Sequence, residues 1–279
     1  MPELPEVETT RRSLAPHMVG ETIQKLTLYR EDLRWPITPG MRDKIEGARI
    51  ENMRRRAKYL LFDMSSGVTV LSHLGMSGSF RLERKGFNTR KHDHIVIGLT
   101  GDTQVVYHDP RRFGAFMWLN RTEEAAHPLL AGLGPEPLSE DFNATYLATA
   151  LKGKKNAIKP ALMNQKLVVG VGNIYASEAL FRAGIHPECP AGRVVKDADK
   201  LVHAVQSVLK DAINSGGSTL RDYVHGSGEM GYFQHAFDVY GRGGEACKTC
   251  GSTIIQTVQA QRATYYCPRC QPKKNSRKK

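Results

Sequence analysis

The chain opens Met1-Pro2-Glu3-Leu4-Pro5-Glu6, and these residue types in this order permit nucleophilic chemistry at the first backbone nitrogen. Initiator methionine is commonly trimmed before a small residue, and its loss would leave Pro2 with a free secondary amine. An α-amine titrates near pH ~8, well below lysine, so a useful fraction is unprotonated at neutral pH. Amines attack carbonyl-like carbons to give Schiff bases. A secondary amine gives an iminium that stays cationic without a proton and is a strong electron sink. Glu3 and Glu6 put carboxyls beside it to move protons. The same residues also read as a start codon followed by a turn, with Pro5 in the first turn of a helix.

The other end carries Cys247-x2-Cys250 and Cys267-x2-Cys270, with sixteen residues between the pairs. This is the spacing of a four-cysteine zinc site, about 15–20 residues between knuckles. Four thiolates leave no open coordination position, so the predicted role of one Zn2+ is structural. Residues 252–258 and 263–266, rich in Thr, Ile, Val and Tyr, read as a hairpin turning at Gln259-Ala260-Gln261-Arg262. Arg262 then projects from its tip, either as a solvated cation or toward a phosphate. Cys189 fits neither knuckle.

Those two ends must be positioned by what lies between. The 279 residues suffice for two or three domains. Lysine and arginine number 40 against 28 acids, a formal charge of +12, of which five charges fall in residues 273–279, leaving +7 on the body. A broadly basic surface favours nucleic acid or an anionic membrane. No apolar run reaches spanning length and the N-terminus is not signal-like, which predicts a soluble cytoplasmic protein.

A helix is expected over residues 5–15, with Val7 and Leu14 on one face and Gly20 beyond its end. Strand-like runs follow at 22–29, 48–53, 59–63, 68–74, 79–82, 94–99, 104–107 and 115–119, a spacing that suggests a sandwich or barrel. Residues 132–137 (GLGPEP) mark a boundary, after which helices are predicted over 141–151, 173–183 and 197–214. The last carries Leu201, Val205, Val208, Leu209 and Ala212 as one apolar stripe.

Several clusters suit a DNA partner. Gly170-Val171-Gly172-Asn173 opens a helix whose N-terminus could face a phosphate, or simply packs closely on a neighbour. Arg54-Arg55-Arg56 reads as a solvated face leading to Lys58. Met76 lies in a glycine-rich turn, and Phe113 follows Arg111 and Arg112 in another. Each is either a core residue at a strand end or a wedge filling the gap left by an extruded base. Lys91-His92-Asp93-His94 is metal-like in composition, but alternation along a strand makes a DNA-facing loop the better reading.

Taken in order, PELPEVE at 2–8, RRAKYL at 55–60, HLGMSG at 73–78, KHDH at 91–94, DPRRFG at 109–114, LGPEPL at 133–138, GVGNIY at 170–175, YGR at 240–242 and the zinc ribbon with Gln261-Arg262 resemble bacterial formamidopyrimidine-DNA glycosylases. The resemblance runs from residue 2 to about residue 271. It implies an α+β multidomain fold: an N-terminal β-sandwich with flanking helices, a helical helix–two-turns–helix domain and a C-terminal four-cysteine zinc finger. The implied boundaries are 1–133 for the catalytic sandwich, 134–222 for the helix–two-turns–helix domain, 223–236 for a lesion-capping loop and linker, 237–271 for the zinc finger and 272–279 for a basic disordered tail. By the same resemblance Pro2 is the Schiff-base nucleophile and Glu3 the catalytic acid, while Lys58 and Arg262 assist β- and δ-elimination. His92, Arg111, Lys154 and Asn173 contact DNA, and Met76, Arg111 and Phe113 fill the space of the flipped base. The implied activity is base-excision repair of oxidised purines in damaged double-stranded DNA, by a monomer on the bacterial nucleoid, with no membrane. Two alternatives are an endonuclease VIII-like enzyme for oxidised pyrimidines and a non-catalytic zinc-ribbon DNA binder. Leu4, where the former usually has glycine, and the PRRFG turn favour the purine enzyme.

Overall fold

The computed structural model describes residues 2–217 and 237–273. Met1, residues 218–222, the whole of the 223–236 loop segment and residues 274–279 of the basic tail lie outside them. The chain forms two compact units that part between Gly132 and Leu133, inside the glycine–proline segment.

The first unit begins with helix α1 (Leu4–Met18), capped by a reciprocal box between Glu3 and Glu6 in which the Glu6 carboxyl accepts the Glu3 amide at 2.8 Å. The helix runs past the predicted end and through Pro16, because its face of Val7, Leu14 and Met18 is fully buried in the core and outweighs one lost backbone bond. All eight expected strands form: β1 (Ile23–Leu28), β2 (Ile50–Arg56), β3 (Tyr59–Met64), β4 (Val68–His73), β5 (Ser79–Arg84), β6 (Asp93–Leu99), β7 (Thr103–His108) and β8 (Ala115–Asn120). They make two antiparallel four-stranded sheets, ordered β1-β6-β7-β5 and β2-β3-β4-β8. Alternate residues of both sheets share one core, among them Ile23, Ile50, Phe62, Val70, Phe80, Ile97 and Phe116. Phe62 and Phe80 meet edge-to-face across it, ring centroids 6.2 Å apart. The architecture is therefore a β-sandwich with α1 on its flank. The short helix α2 (Met41–Ile45) was not legible, because five residues carry too little periodicity to show.

The second unit is helical. Helix α3 (Ala144–Leu151) starts three residues later than expected, since Asn143 caps it by accepting the Tyr146 amide at 2.9 Å. Helix α4 (Ile158–Leu162) went unpredicted for the same reason as α2. Helices α5 (Asn173–Arg182) and α6 (Ala198–Asn214) fall where expected, and the α6 stripe is buried. The unit ends in a two-stranded ribbon, β9 (Ile255–Gln259) and β10 (Arg262–Tyr266). Among the described residues no helix is long and apolar enough to cross a membrane.

Candidate functional site

Pro2 and Glu3 are both buried at the head of α1. Both carboxyls belong to the helix cap, Glu6 accepting the Glu3 amide and Glu3 accepting at the Glu6 backbone, and Glu3, directly bonded to Pro2, is the acid nearest the N-terminal nitrogen. Lys58 sits in the two-residue turn Ala57-Lys58 of the β2–β3 hairpin, where Arg56 pairs with Tyr59. Ala57 is left-handed at φ 53, a conformation tolerated in tight hairpins. Arg55 donates to the Ala57 carbonyl at 3.1 Å and to Glu8 at 3.2 Å, so an ion pair connects the turn carrying Lys58 to the helix headed by Pro2. Glu8 also accepts from Arg11 and Arg12 at 2.8 and 2.9 Å. Burial raises the Glu8 pKa, but these arginines overcome it and hold the carboxyl below its usual value.

This corrects the reading of Arg54-Arg55-Arg56 as a solvated face. Arg54 bridges Asp63 and Glu124 at 2.6 and 2.7 Å at the surface, and the nearly buried Arg55 is spent on Glu8, so two of the three are held in ion pairs.

Two turns stand close together on the sandwich. His73 accepts the Gly75 amide at Nδ1, 3.0 Å away, and its ring packs on Tyr59. Burial, with Lys58 and Arg34 nearby, lowers its pKa to about 4, so the imidazole is neutral. Met76, one residue beyond Gly75, is half-buried, and Phe113 is 40 % exposed with the Arg111 guanidinium 4.9 Å from its ring centre. Phe113 is thus no core residue. His92 lies at φ 74 just before β6, and burial followed by the neighbouring Lys91 lowers its pKa. Asp93 pairs with Arg81 at 2.6 Å and with His108 at 2.9 Å. Burial opposes its ionisation, yet those bonds bring its pKa down to about 2. Asp93 is accordingly an ion-pair strut, and among the described residues the only His/Cys/Asp/Glu cluster placed to hold a metal is that of Cys247, Cys250, Cys267 and Cys270.

In the second unit, Asn173 is the first residue of α5, and its side chain is turned to the ribbon: its amide donates to the Ala263 carbonyl at 3.0 Å. Lys159, only 1 % exposed, donates to Asn173 Oδ1 at 2.7 Å, the Ala263 carbonyl at 2.9 Å and Thr264 Oγ1 at 2.7 Å. One buried ammonium therefore fixes α5 to the strand that begins at Arg262. Arg262 is exposed, paired with Gln259 across a turn whose central residues Ala260 and Gln261 have φ 48 and 60. Lys154 is exposed in the loop after α3, its carbonyl held by the Gly192 amide at 2.8 Å.

The four ribbon sulfurs lie within 4.8 Å of one another, with Cys247–Cys270 at 3.9 Å and Cys250–Cys267 at 3.4 Å. A tetrahedral zinc with Zn–S of about 2.3 Å places sulfurs about 3.8 Å apart, so the set fits. Gln271, fully buried, accepts the Cys267 amide at 3.0 Å and donates to the Ile185 carbonyl at 2.8 Å, anchoring the second knuckle. Cys189 stands apart from the cluster, its thiol facing the Pro190 carbonyl.

Sequence reasoning missed Glu8, Asp109, Lys159 and Glu178. The buried Glu178 accepts the amides of Asp238, Val239 and Tyr240 at 2.9, 3.0 and 2.8 Å. Burial nonetheless raises its pKa. A lone charge inside an apolar segment, as in Ala157-Ile158-Lys159-Pro160-Ala161-Leu162, was the available signal for Lys159 and Glu178.

A β-sandwich headed by a Pro-Glu helix, a helical unit and a four-cysteine ribbon together define a DNA glycosylase of base-excision repair. Residues 1–116 match the formamidopyrimidine-DNA glycosylase N-terminal domain, 133–224 its H2TH domain, and 244–273 a zinc finger found in FPG and IleRS. The formamidopyrimidine-DNA glycosylase of Shewanella loihica is 50% identical over 98% of this chain and 100% of its own. Among solved structures, a Lactococcus lactis FPG variant in complex with DNA containing Fapy-dG superposes with a TM-score of 0.91 at 35% identity, covering 98% of this chain and 100% of that one. The MutM (FPG) protein of Thermus thermophilus gives 0.85 at 42% identity, over 97% and 98% of the two chains. The chain belongs to the formamidopyrimidine-DNA glycosylase family, and its ribbon holds one structural zinc.

Proposed function

We propose that this chain removes oxidised purines, 8-oxoguanine and formamidopyrimidines, from duplex DNA and then cleaves the abasic strand, working as a cytoplasmic monomer. The observation that carries the reading is the buried Pro2-Glu3 pair at the head of α1.

The lesion is reached by flipping it out of the stack, at a cost of a few kcal/mol. Met76, Arg111 and Phe113 then fill the space it leaves. Once Met1 is removed, the Pro2 amine attacks C1′ and displaces the base, which departs with the glycosidic electron pair and takes up the amine proton; the ring C1′–O4′ bond then breaks, its oxygen taking the Glu3 proton, as the nitrogen lone pair forms the C1′ iminium. The resulting iminium acidifies the C2′ proton. Loss of that proton expels the 3′ phosphate, and a second elimination expels the 5′ phosphate. Lys58 and Arg262 supply cations for these leaving groups, and His92, Lys154 and Asn173 serve the DNA backbone. The zinc holds the ribbon that presents Arg262, with Cys247, Cys250, Cys267 and Cys270 as ligands, and takes no part in bond making.

Borohydride trapping on a duplex with 8-oxoguanine opposite cytosine tests the reading. A covalent complex is expected with the Met1-free protein, and sharply less with Pro2→Gly or with Met1 retained, whose Pro2 nitrogen is an unreactive amide. Absence of trapping by protein shown to lack Met1 would overturn it.

A further inference from the structure

Asp109 is completely buried beneath the two turns that carry Met76, Arg111 and Phe113. Its Oδ1 accepts from the Ser77 hydroxyl at 2.7 Å, and its Oδ2 accepts from the Gly114 amide at 2.9 Å and the Tyr107 hydroxyl at 3.2 Å. Ser77 Oγ in turn accepts the Arg111 amide at 3.1 Å. The Asp109 carbonyl takes a hydrogen bond from His94 Nε2 at 2.9 Å. One side chain therefore holds the residue after Met76, the residue after Phe113 and, through Ser77, the backbone of Arg111.

The turns also interlock directly. A Cβ on Gly75 would overlap the Phe113 carbonyl, and one on Gly114 would overlap the Tyr107 hydroxyl. Arg112 at φ 56 is left-handed, a conformation that its surroundings must enforce, while Gly75 at φ 63 adopts the same region freely.

We propose that Asp109 is a positioning residue for base extrusion, locking the Met76 turn and the Arg111–Phe113 turn into one rigid wedge. The physical need is preorganisation. If the turns gave way on entering the duplex, part of the binding energy would go into ordering them instead of unstacking the lesion. The inference rests on the glycosylase reading above.

Ser77→Ala and Asp109→Asn test it. Asparagine has one acceptor oxygen where the carboxyl has two. The Gly114 amide can only donate and so claims it, which leaves the Ser77 hydroxyl facing an NH2 group. Two single-turnover rates are compared: release of 8-oxoguanine from a duplex, and cleavage of a duplex with a preformed abasic site, which has no base to extrude. The ratio of the first to the second should fall about fivefold or more in both variants. The fluorescence rise of a 2-aminopurine beside the lesion, which reports unstacking, should slow by a similar factor. General destabilisation would instead depress both rates together and leave the ratio unchanged. An unchanged ratio and fluorescence rate in folded Ser77→Ala overturns the inference even if Asp109→Asn fails to fold. A wild-type protein that releases no 8-oxoguanine overturns the glycosylase reading itself.

Discussion

Glu8 and Arg55 form an ion pair at 3.2 Å between the helix that starts at Pro2-Glu3 and the hairpin whose turn holds Lys58. Both side chains are nearly buried, so the bond is shielded from solvent. Arg11 and Arg12 also bond Glu8, so removing Arg55 leaves that carboxylate compensated, whereas neutralising Glu8 takes the counter-charge from three arginines. Arg55→Ala should destabilise the protein by about 1.5–3 kcal/mol, the loss of a charged hydrogen bond, and slow borohydride trapping. Glu8→Gln should cost more. Chemical denaturation and trapping kinetics on both variants check this.

His73 makes stability depend on pH. Its folded pKa, lowered to about 4, lies under the unfolded value of 6.5, so between those values the unfolded chain binds more protons. Stability should therefore be full above pH ~6.5 and fall as pH drops toward ~4, by on the order of 3 kcal/mol from this group. His73→Asn keeps an acceptor for the Gly75 amide and cannot titrate. Thermal melting across that range should show a flatter profile in the variant.

Lys159 should be indispensable to the ribbon's position. Lys159→Met removes three hydrogen bonds and leaves Asn173 Oδ1 in want of a donor, while the Ala263 carbonyl keeps only the Asn173 amide. The expected loss is about 2–4 kcal/mol. Hydrogen exchange should rise first at residues 259–264, and abasic-strand cleavage should fall with the displacement of Arg262.

Stripping the metal should unfold the ribbon, since apparent zinc affinities of such sites run to about 10–16 kcal/mol. One zinc per chain should be released on thiol modification, and DNA affinity should drop with it. If affinity survives metal loss, Arg262 does not act from the ribbon.

The sequence by itself determined the parts. Eight strands were legible because Val, Ile and aromatic residues recur between glycine and asparagine turns, and the ribbon because cysteine spacing encodes tetrahedral ligation. α2 and α4 were not, because five-residue helices have no period to read. What only tertiary structure decided is how the charged residues are spent. Arg54 and Arg55 look like Arg111 and Arg262 in sequence, yet the first two are consumed by Glu8, Asp63 and Glu124 while the last two stay exposed. Asp109, Lys159 and Glu178 draw their partners from residues far along the chain or from backbone groups. A charge takes its role from the partners that folding brings to it and from the solvent that folding removes, and neither is written in local spacing.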